Sequence, residues 1–236
     1  MHRALTAHTP LGEKWWAVSL TGREALSEPF AFHLELDADD PNIDTQALIG
    51  EVAAVELEAQ NGLVRWFSGQ IVRASAKGRH GRHWRYKATL APKLWHASRR
   101  SDFRIWQNLT IPAIANDVLE ANALRYEWRL KNTYKTWEYL VQYDETDQNF
   151  LCRLFEHEGI YYWFEHGAQG ETLILGDHFT THETFGGYET IPFYPPDIAR
   201  PDEDHYFSWS AAREPEPGRY AHRDYDFKRP SKDLAT

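Results

Sequence analysis

The chain has 236 residues, of which 42% are hydrophobic and 26% are charged, and its formal net charge at pH 7 is -9. This length and composition are typical of one large folded domain or two small ones. An acidic chain repels a phosphate backbone, so its charge argues against nucleic acid as a partner. The single cysteine, Cys152, rules out an intramolecular disulfide and is expected to be a small, partly buried filler.

The start of the chain and its apolar runs bear on localisation. The first ten residues, MHRALTAHTP, lack the apolar core of a signal peptide, and no apolar run approaches the roughly 20 residues that span a bilayer. We therefore expect a chain that is made and folded in the cytoplasm, without membrane insertion. If it leaves the cell, a route other than a cleaved signal must carry it.

The first part of the chain is strand-like. Apolar residues alternate with polar ones, or form short runs, over residues 15–20, 30–36, 52–57, 63–74 and 83–90. Turn signals separate these segments. Asn61-Gly62 is the strongest of them, because a type I′ hairpin turn needs two residues that tolerate positive φ. Short strands divided by such turns predict an antiparallel sandwich or barrel.

The densest run of basic residues covers positions 77–85, KGRHGRHWR. Such a run could bind an acidic surface, but Gly78 and Gly81 are typical of a solvated hairpin tip. We favour the hairpin tip and assign this segment no function.

The pattern becomes helical after Pro92. A helix is expected over residues 111–122, with Thr110 as its N-cap and Pro112 in the first turn, where its missing N–H costs nothing. Its apolar positions recur at helical spacing, at Ile111, Ile114, Ala115, Val118 and Leu119.

Residues 138–166, EYLVQYDETDQNFLCRLFEHEGIYYWFEH, predict a strand, a helix and a second strand. The first strand covers 138–143. The helix runs from Asp147 to Glu158, with Thr146 as its N-cap and Gly159 in the left-handed conformation that ends it. Asp147 lies in the first turn, where negative charge is favourable.

One face of this helix is apolar and is expected to be buried, whereas the polar residues point elsewhere. The apolar set is Phe150, Leu151, Leu154 and Phe155, and the polar set is Asp147, Gln148, Arg153 and Glu156. Strand 160–164 then turns through residues 167–170 into strand 171–175 as a hairpin. We expect 173–175 to return to the first sheet.

Proline and glycine become dense over residues 184–204, which indicates a linker, and two short strands are expected at 206–211 and 220–227. The predicted fold class is mixed and mainly β (α+β). It comprises an antiparallel β-barrel domain, an inserted helical α+β section and the start of a second β-barrel. The expected divisions are 1–95 with about 166–185 for the first barrel, 96–165 for the insertion, 186–204 for the linker and 205–236 for the truncated second barrel.

Candidate chemistry is sparse. His178 and His182 have metal-ligand spacing, but no further histidine completes a zinc motif, and surface histidines are the favoured interpretation. Asp144, Glu145 and Asp147 could act as an acid-base pair on a glycan, yet the helix N-terminus explains Asp147 without catalysis.

Other nucleophiles and cofactor motifs are not evident from the sequence. Ser68 and Ser208 lack a nucleophile motif, and Cys152 has no reason to be activated. We therefore predict no catalytic residue, no metal ligand, no cofactor and no enzymatic activity. The ten tryptophans are expected to lie mainly in the core, although an interface or a carbohydrate platform would also use them.

The run VQYDETDQNFLCRLFEHEGIYYWFEH, residues 141–166, closely resembles the signature of the VgrG spike proteins of type VI secretion, which are relatives of contractile phage tail baseplate hubs. Further similar segments follow in the family's order at 20–36, 48–57, 67–72, 86–95, 104–107 and 223–230. The resemblance covers nearly the whole chain. Two departures are Ser68, where the family more often has His, and Trp106, where it more often has Phe.

This resemblance implies a structural protein. Three full-length copies, each with two similar barrels, would form a ring that caps the hexameric tube protein and is exported with it by the contractile apparatus. Baseplate components, and effectors or adaptors, would be further partners. The family continues into the rest of a second barrel and a long trimeric spike, so we expect the present chain to trimerise weakly or to remain monomeric at micromolar concentration.

Two alternatives stay open. A phage or tailocin baseplate hub would have the same fold and a similar role. A glycan-binding or cell-wall lytic module would instead use the aromatic residues and carboxylates of the chain.

Overall fold

The computed structural model of the protein describes residues 4–58, 62–184, 186, 189–196, 205–215, 217–219 and 221–235. The chain forms two compact units, residues 1–189 and residues 190–236. In the first unit the helices are α1 (Leu94–Ala97), α2 (Ile111–Ala121) and α3 (Asp147–Glu158). The strands are β1 (Ala4–His8), β2 (Trp16–Ala25), β3 (Glu28–Ala38), β4 (Val52–Glu58), β5 (Val64–His80), β6 (His83–Ala91), β7 (Ser101–Trp106), β8 (Leu109–Thr110), β9 (Tyr126–Arg129), β10 (Thr136–Trp137), β11 (Leu140–Thr146), β12 (Tyr161–Gly167) and β13 (Gly170–Gly176).

Strands β1 to β6 form one antiparallel sheet in the order β1-β4-β5-β6-β3-β2. Its two edge strands, β1 and β2, come close together, so the sheet curls into a half-barrel. Alternate residues of β3 fill the concave core because successive side chains of a strand point to opposite faces. Those residues are Phe30, Phe32, Leu34 and Leu36. The five strands predicted in this part of the chain and the mainly β fold class are confirmed.

The helices and the remaining strands build a second core. Helices α2 and α3 pack together with a three-stranded sheet in the order β12-β13-β9 and with the two-stranded ribbon of β7 and β11. Phe164 of β12 packs against both this core and the core of the half-barrel. Within the described part of the chain, no helix is long and apolar enough to cross a membrane.

The predicted helices are confirmed almost to the residue. Thr110 caps α2 by accepting a hydrogen bond from the Ala113 backbone N–H, and Thr146 caps α3 by accepting one from Asn149. The four apolar residues predicted for the buried face of α3 are all buried. These predictions succeed because caps and apolar spacing are local signals.

Gly159 ends α3 with φ of 71°, and the Ile160 N–H donates to the Phe155 carbonyl at 2.9 Å. A Cβ at this position would meet no atom within 4 Å, so a substitution tests backbone strain alone. We expect Gly159→Val to lower the free energy of unfolding by about 1–2 kcal/mol. Urea unfolding measures it, with Gly159→Asn as a control that tolerates this conformation and loses less. An equal loss in both variants would contradict the strain argument.

Two strand predictions are corrected. Strand β13 does not return to the half-barrel, because it pairs antiparallel with β12 and parallel with β9. The first strand of the signature segment is β11, which begins at Leu140 and extends to Thr146.

The second unit contains isolated bridges, Phe193 with Tyr206 and Arg223 with Ala235, instead of strands at 206–211 and over the described part of 220–227. The hairpin signal at Asn61 and the predicted strand start at Tyr220 lie outside the described residues.

Candidate assembly surface

The signature segment places a buried carboxylate at the start of α3. Asp147 is 0% exposed, although the sequence pattern placed it on the polar face. Its Oδ1 accepts a hydrogen bond from Gln142 Nε2 at 2.8 Å, and its Oδ2 accepts one from Asn122 Nδ2 at 2.9 Å. Arg100 and Arg104 each bring a guanidinium nitrogen to 4.0 Å. This carboxylate therefore joins β11, α2 and α3.

A second contact fixes β11 to the same helix. Arg153 of α3 donates to both carboxylate oxygens of Glu145 and, at 3.0 Å, to the Val141 carbonyl. Asp144 lies between the two networks in a β-bulge, with φ of 49°, and is exposed. Asp144, Glu145 and Asp147 therefore face three different surroundings, and the structure does not bring them together as an acid-base pair.

The ribbon of β7 and β11 has two unlike faces. Its inner face packs on the core through Trp106, Leu140 and Gln142, which are buried. Its outer face is apolar and open to solvent: Phe103 is 63% exposed, Ile105 58% and Tyr143 75%. The Phe103 and Tyr143 rings touch edge to face, with centroids 5.2 Å apart. We call Phe103, Ile105, Val141 and Tyr143 the apolar ribbon.

Contiguous exposed apolar patches are typical of interaction sites. The patch was not predicted, although Phe103 and Ile105, and likewise Val141 and Tyr143, alternate in the sequence with inward-facing residues. The hydrogen bonds of Asp147, and those between Arg153 and Glu145, hold the ribbon of β7 and β11 against α3. The apolar side chains are therefore presented on a fixed support.

Trp106 is one of the two departures from the resembled family, which more often has Phe at this position, and its contacts account for the change. Its ring stacks on Phe150 with centroids 4.9 Å apart, as a phenyl ring can, and its Nε1 also donates to Asp117 Oδ2 of α2 at 3.0 Å. The indole therefore adds a hydrogen bond between the ribbon and α2. Trp15 is buried as well, whereas Trp16 and Trp209 are exposed, so the expectation that the tryptophans are mainly core is wrong for these two.

His166, at the end of β12, joins the two cores. Its ring packs against both Phe30 and Phe32, with centroids 4.8 and 5.4 Å away, and its Nε2 is 2.8 Å from Glu24 Oε1. Its Nδ1 is 2.9 Å from the Ser68 carbonyl oxygen and 3.1 Å from the Ser68 backbone nitrogen. Strand β6 stops opposite the residue at position 70, so the imidazole takes the place of a continuing strand.

Ser68 contacts His166, which contacts Glu24, so the three side chains are linked in series as in a hydrolase triad. Ser68 Oγ lies 3.4 Å from His166 Nδ1. Ser68 is completely buried, so its hydroxyl has no space for a substrate. The arrangement therefore acts as a structural joint.

The two histidines with metal-ligand spacing make different contacts. His178 caps a short 3₁₀ helix by accepting from the Thr180 N–H at 3.2 Å, whereas the ring of His182 packs on Tyr161 and Trp163. Among the described residues, no group of three or more potential ligands is arranged to hold a metal ion.

Comparison with known proteins places the chain among tail and spike components. The family model for the phage tail baseplate hub (GPD) matches residues 23–236. The type VI secretion system spike protein VgrG1a of Pseudomonas aeruginosa is 41% identical over 212 residues, which cover 89% of this chain and 33% of that protein. For VgrG1c of the same organism the identity is 39%, over 97% of this chain and 32% of the relative. The chain thus spans about a third of the length of these relatives.

Solved structures with the same fold include the E. coli c3393 protein, described as a component of the type VI secretion system that is structurally similar to T4 bacteriophage tail proteins gp27 and gp5. The TM-score is 0.65 at 24% identity, and the match covers 84% of this chain and 51% of that one. A tail protein of prophage MuSo2 from Shewanella oneidensis matches with a TM-score of 0.54 at 16% identity, over 82% of this chain and 59% of that chain. These likenesses concern the fold.

Proposed function

The chain belongs to the phage tail baseplate hub family, and from that premise we propose that it forms the hub part of a type VI secretion spike. The identity to spike proteins over most of the chain supports this function, as does the curled sheet shared with tail proteins. The role is structural: the protein positions other chains and performs no chemistry. It would be carried out of the cell by the contractile apparatus, as its relatives' role implies.

The proposed assembly is a ring of three copies that caps the hexameric tube. In this proposal residues 1–95 form the first barrel, the section that follows it up to the end of β13 is the insertion, because β13 pairs with β12 and β9, and 205–236 begins the second barrel after a linker at 186–204. Two similar barrels in each of three chains would present six matching faces to a sixfold tube. Baseplate proteins, and effectors or adaptors, are proposed as further partners.

The apolar ribbon is the observation that carries the proposed assembly. Its three most exposed side chains are large and apolar, and the residues beneath them are fixed by the Asp147 and Glu145 networks. A fixed apolar patch loses little conformational entropy when it is covered, which favours a protein contact. We propose that a second copy of the chain covers it in the ring.

The two alternatives have less support than the secretion spike. The separation of Asp144, Glu145 and Asp147 gives no support to a lytic enzyme. A phage or tailocin hub would belong to the same family, but the identity of 41% to a secretion spike protein favours the secretion system.

The assembly proposal is tested by Ile105→Asp, which places a charge in the centre of the apolar ribbon. We expect this variant to keep the wild-type melting temperature and to weaken self-association about tenfold or more, because a carboxylate must be desolvated in the contact. Sedimentation velocity at increasing protein concentration measures the association.

Leu26→Asp is the matched control, since Leu26 is also exposed but lies in the turn between β2 and β3. Equal association of Ile105→Asp and wild type would remove the ribbon from the interface. Hydrolysis or tight binding of a cell-wall glycan by the wild type would instead bring back the glycan-directed alternative.

A further inference from the structure

A polar groove crosses the outer face of the half-barrel. Strands β2, β3, β6 and β5 lie side by side, and residues that are paired in register share one face. One row across the strands is Thr21, His33, Thr89 and Arg73, and the next is Ser19, Glu35, Lys87 and Ser75. The groove holds about 510 Å³, and Lys77 lines it as well. We call it the basic groove.

The positive charges of this groove are only partly compensated. Lys87 Nζ lies 2.6 Å from Glu35 Oε1. The hydrogen bond and positive charge of Lys87 lower the pKa of Glu35, so that carboxylate stays ionised and neutralises its neighbour. Arg73 and Lys77 on β5 are exposed and have no acidic partner among the described residues.

The connection between β3 and β4 has the opposite character. No lysine or arginine occurs from residue 38 to residue 64, and we call residues 39–51 the acidic connection. Asp40 and Asp44 are exposed there, and within the described part of the chain neither is paired with a cation. Asp40 accepts the Asn42 N–H at 2.8 Å and Asp44 accepts the Gln46 N–H at 2.9 Å, while Ile43 packs on the sheet core.

These local bonds give the acidic connection a defined shape before any contact forms. Side-chain acceptors that bind the backbone two residues ahead make compact Asx turns. The Asp40 and Asp44 carboxylates therefore sit at fixed positions on the surface, and each keeps an oxygen free for a partner.

We propose that the acidic connection of a second copy of this chain docks in the basic groove, with Asp40 and Asp44 facing Arg73 and Lys77. This inference rests on the proposed ring. A closed ring of three identical chains is built from one repeated head-to-tail contact, which needs two different and complementary surfaces on every chain. The connection supplies two uncompensated negative charges and the groove two uncompensated positive charges, and the hydroxyl of Ser75, which also lines the groove, can donate to an incoming carboxylate.

A polyanion such as nucleic acid suits the groove less well. The chain as a whole carries a net charge of -9, which repels an extended phosphate backbone, and two free cations neutralise few phosphates. A short acidic segment is bound by the local field instead, within a Debye length of about 8–10 Å.

The experiment compares self-association of the wild-type chain and four variants by sedimentation velocity at low salt. The groove variant is Arg73→Gln with Lys77→Gln, and the connection variant is Asp40→Asn with Asp44→Asn, which keeps the Asx turns. Each is expected to weaken association about tenfold, and the combined variant is expected to weaken it no further, because the charges act as pairs. Lys14→Gln with Arg82→Gln removes the same charge as the groove variant outside the groove and should associate like the wild type.

Two results would overturn the docking proposal without touching the hub assignment. Independent losses that multiply to about a hundredfold in the combined variant would show that the two surfaces do not meet. Wild-type association in both double variants, together with loss in Ile105→Asp, would leave a ring held by the apolar ribbon alone. A wild-type chain that stays monomeric at millimolar concentration would contradict both the docking and the ring contact. Oligonucleotide binding by the wild type that is lost in the groove variant would instead assign the groove to nucleic acid.

Discussion

Replacing Phe150 by alanine is expected to lower the free energy of unfolding by about 3–5 kcal/mol, because the substitution removes a buried aromatic ring and leaves a cavity. Phe150 is fully buried in the helical core. Its ring stacks on Trp106 of the ribbon at an interplanar angle of 15°, so the cavity opens directly beneath β7. The loss should therefore loosen the support of the apolar ribbon as well as the helix.

Urea unfolding followed by tryptophan fluorescence measures the loss, since Trp106 reports on the same contact. Phe179→Ala is the control: its side chain is mostly exposed, and its truncation should change stability by no more than about 0.5 kcal/mol. Similar midpoints for the two variants would mean that the buried face of α3 is assigned to the wrong residues.

Replacing Asp147 by alanine is expected to lower the free energy of unfolding by about 3 kcal/mol. The change removes the acceptor of two hydrogen bonds and leaves the fully buried Gln142 amide with only the Glu145 carbonyl as an acceptor, at 3.1 Å. It also takes the negative charge away from Arg100 and Arg104 and from the N-terminus of α3.

Hydrogen exchange adds a local readout to the unfolding measurement for this variant. Amide protection in β7 and β11 should fall in Asp147→Ala, because the network ties both strands to the helices. Glu156→Ala removes an exposed carboxylate from the same helix and serves as the control. Unchanged protection of the ribbon in Asp147→Ala, with stability equal to that of the control, would assign the buried carboxylate no part in holding the ribbon.

These two predictions give the signature segment a physical meaning. The residues that made the family resemblance recognisable are those that hold one strand against one helix: Gln142, Glu145, Thr146, Asp147 and Arg153. None of them needs to contact a partner. Their effect is to hold the side chains of the apolar ribbon in place.

The two departures from the family pattern fit the same account. Trp106 keeps the ring stacking of a phenylalanine and gains a hydrogen bond to α2. Ser68 is small and buried, and its backbone N–H and carbonyl oxygen both lie within hydrogen-bond distance of His166 Nδ1, which pairs with one of them at a time. Trp106 lies where the ribbon of β7 and β11 contacts α2, and Ser68 lies where β12 contacts the half-barrel.

The sequence by itself determined the elements whose signals are short-range. Helix α3 was predicted from its first to its last residue because its cap, its apolar spacing and its terminal glycine lie within fourteen consecutive positions, 146–159. Five of the six strands of the half-barrel were predicted for the same reason, since alternation of apolar residues is set by the strand itself, and β1 was not predicted.

Only the tertiary structure decided what depends on contacts between distant residues. Asp147 became a buried acceptor because Asn122, 25 residues earlier, and Gln142 both reach it, although a helix N-terminus alone allows an exposed carboxylate. Strand β13 was assigned to the wrong sheet because its apolar residues suit any buried position, and β9 provides the neighbouring edge. The apolar ribbon arises only when 101–106 pairs with 140–146 and the inner face of the pair is covered, which leaves the outer apolar side chains in solvent.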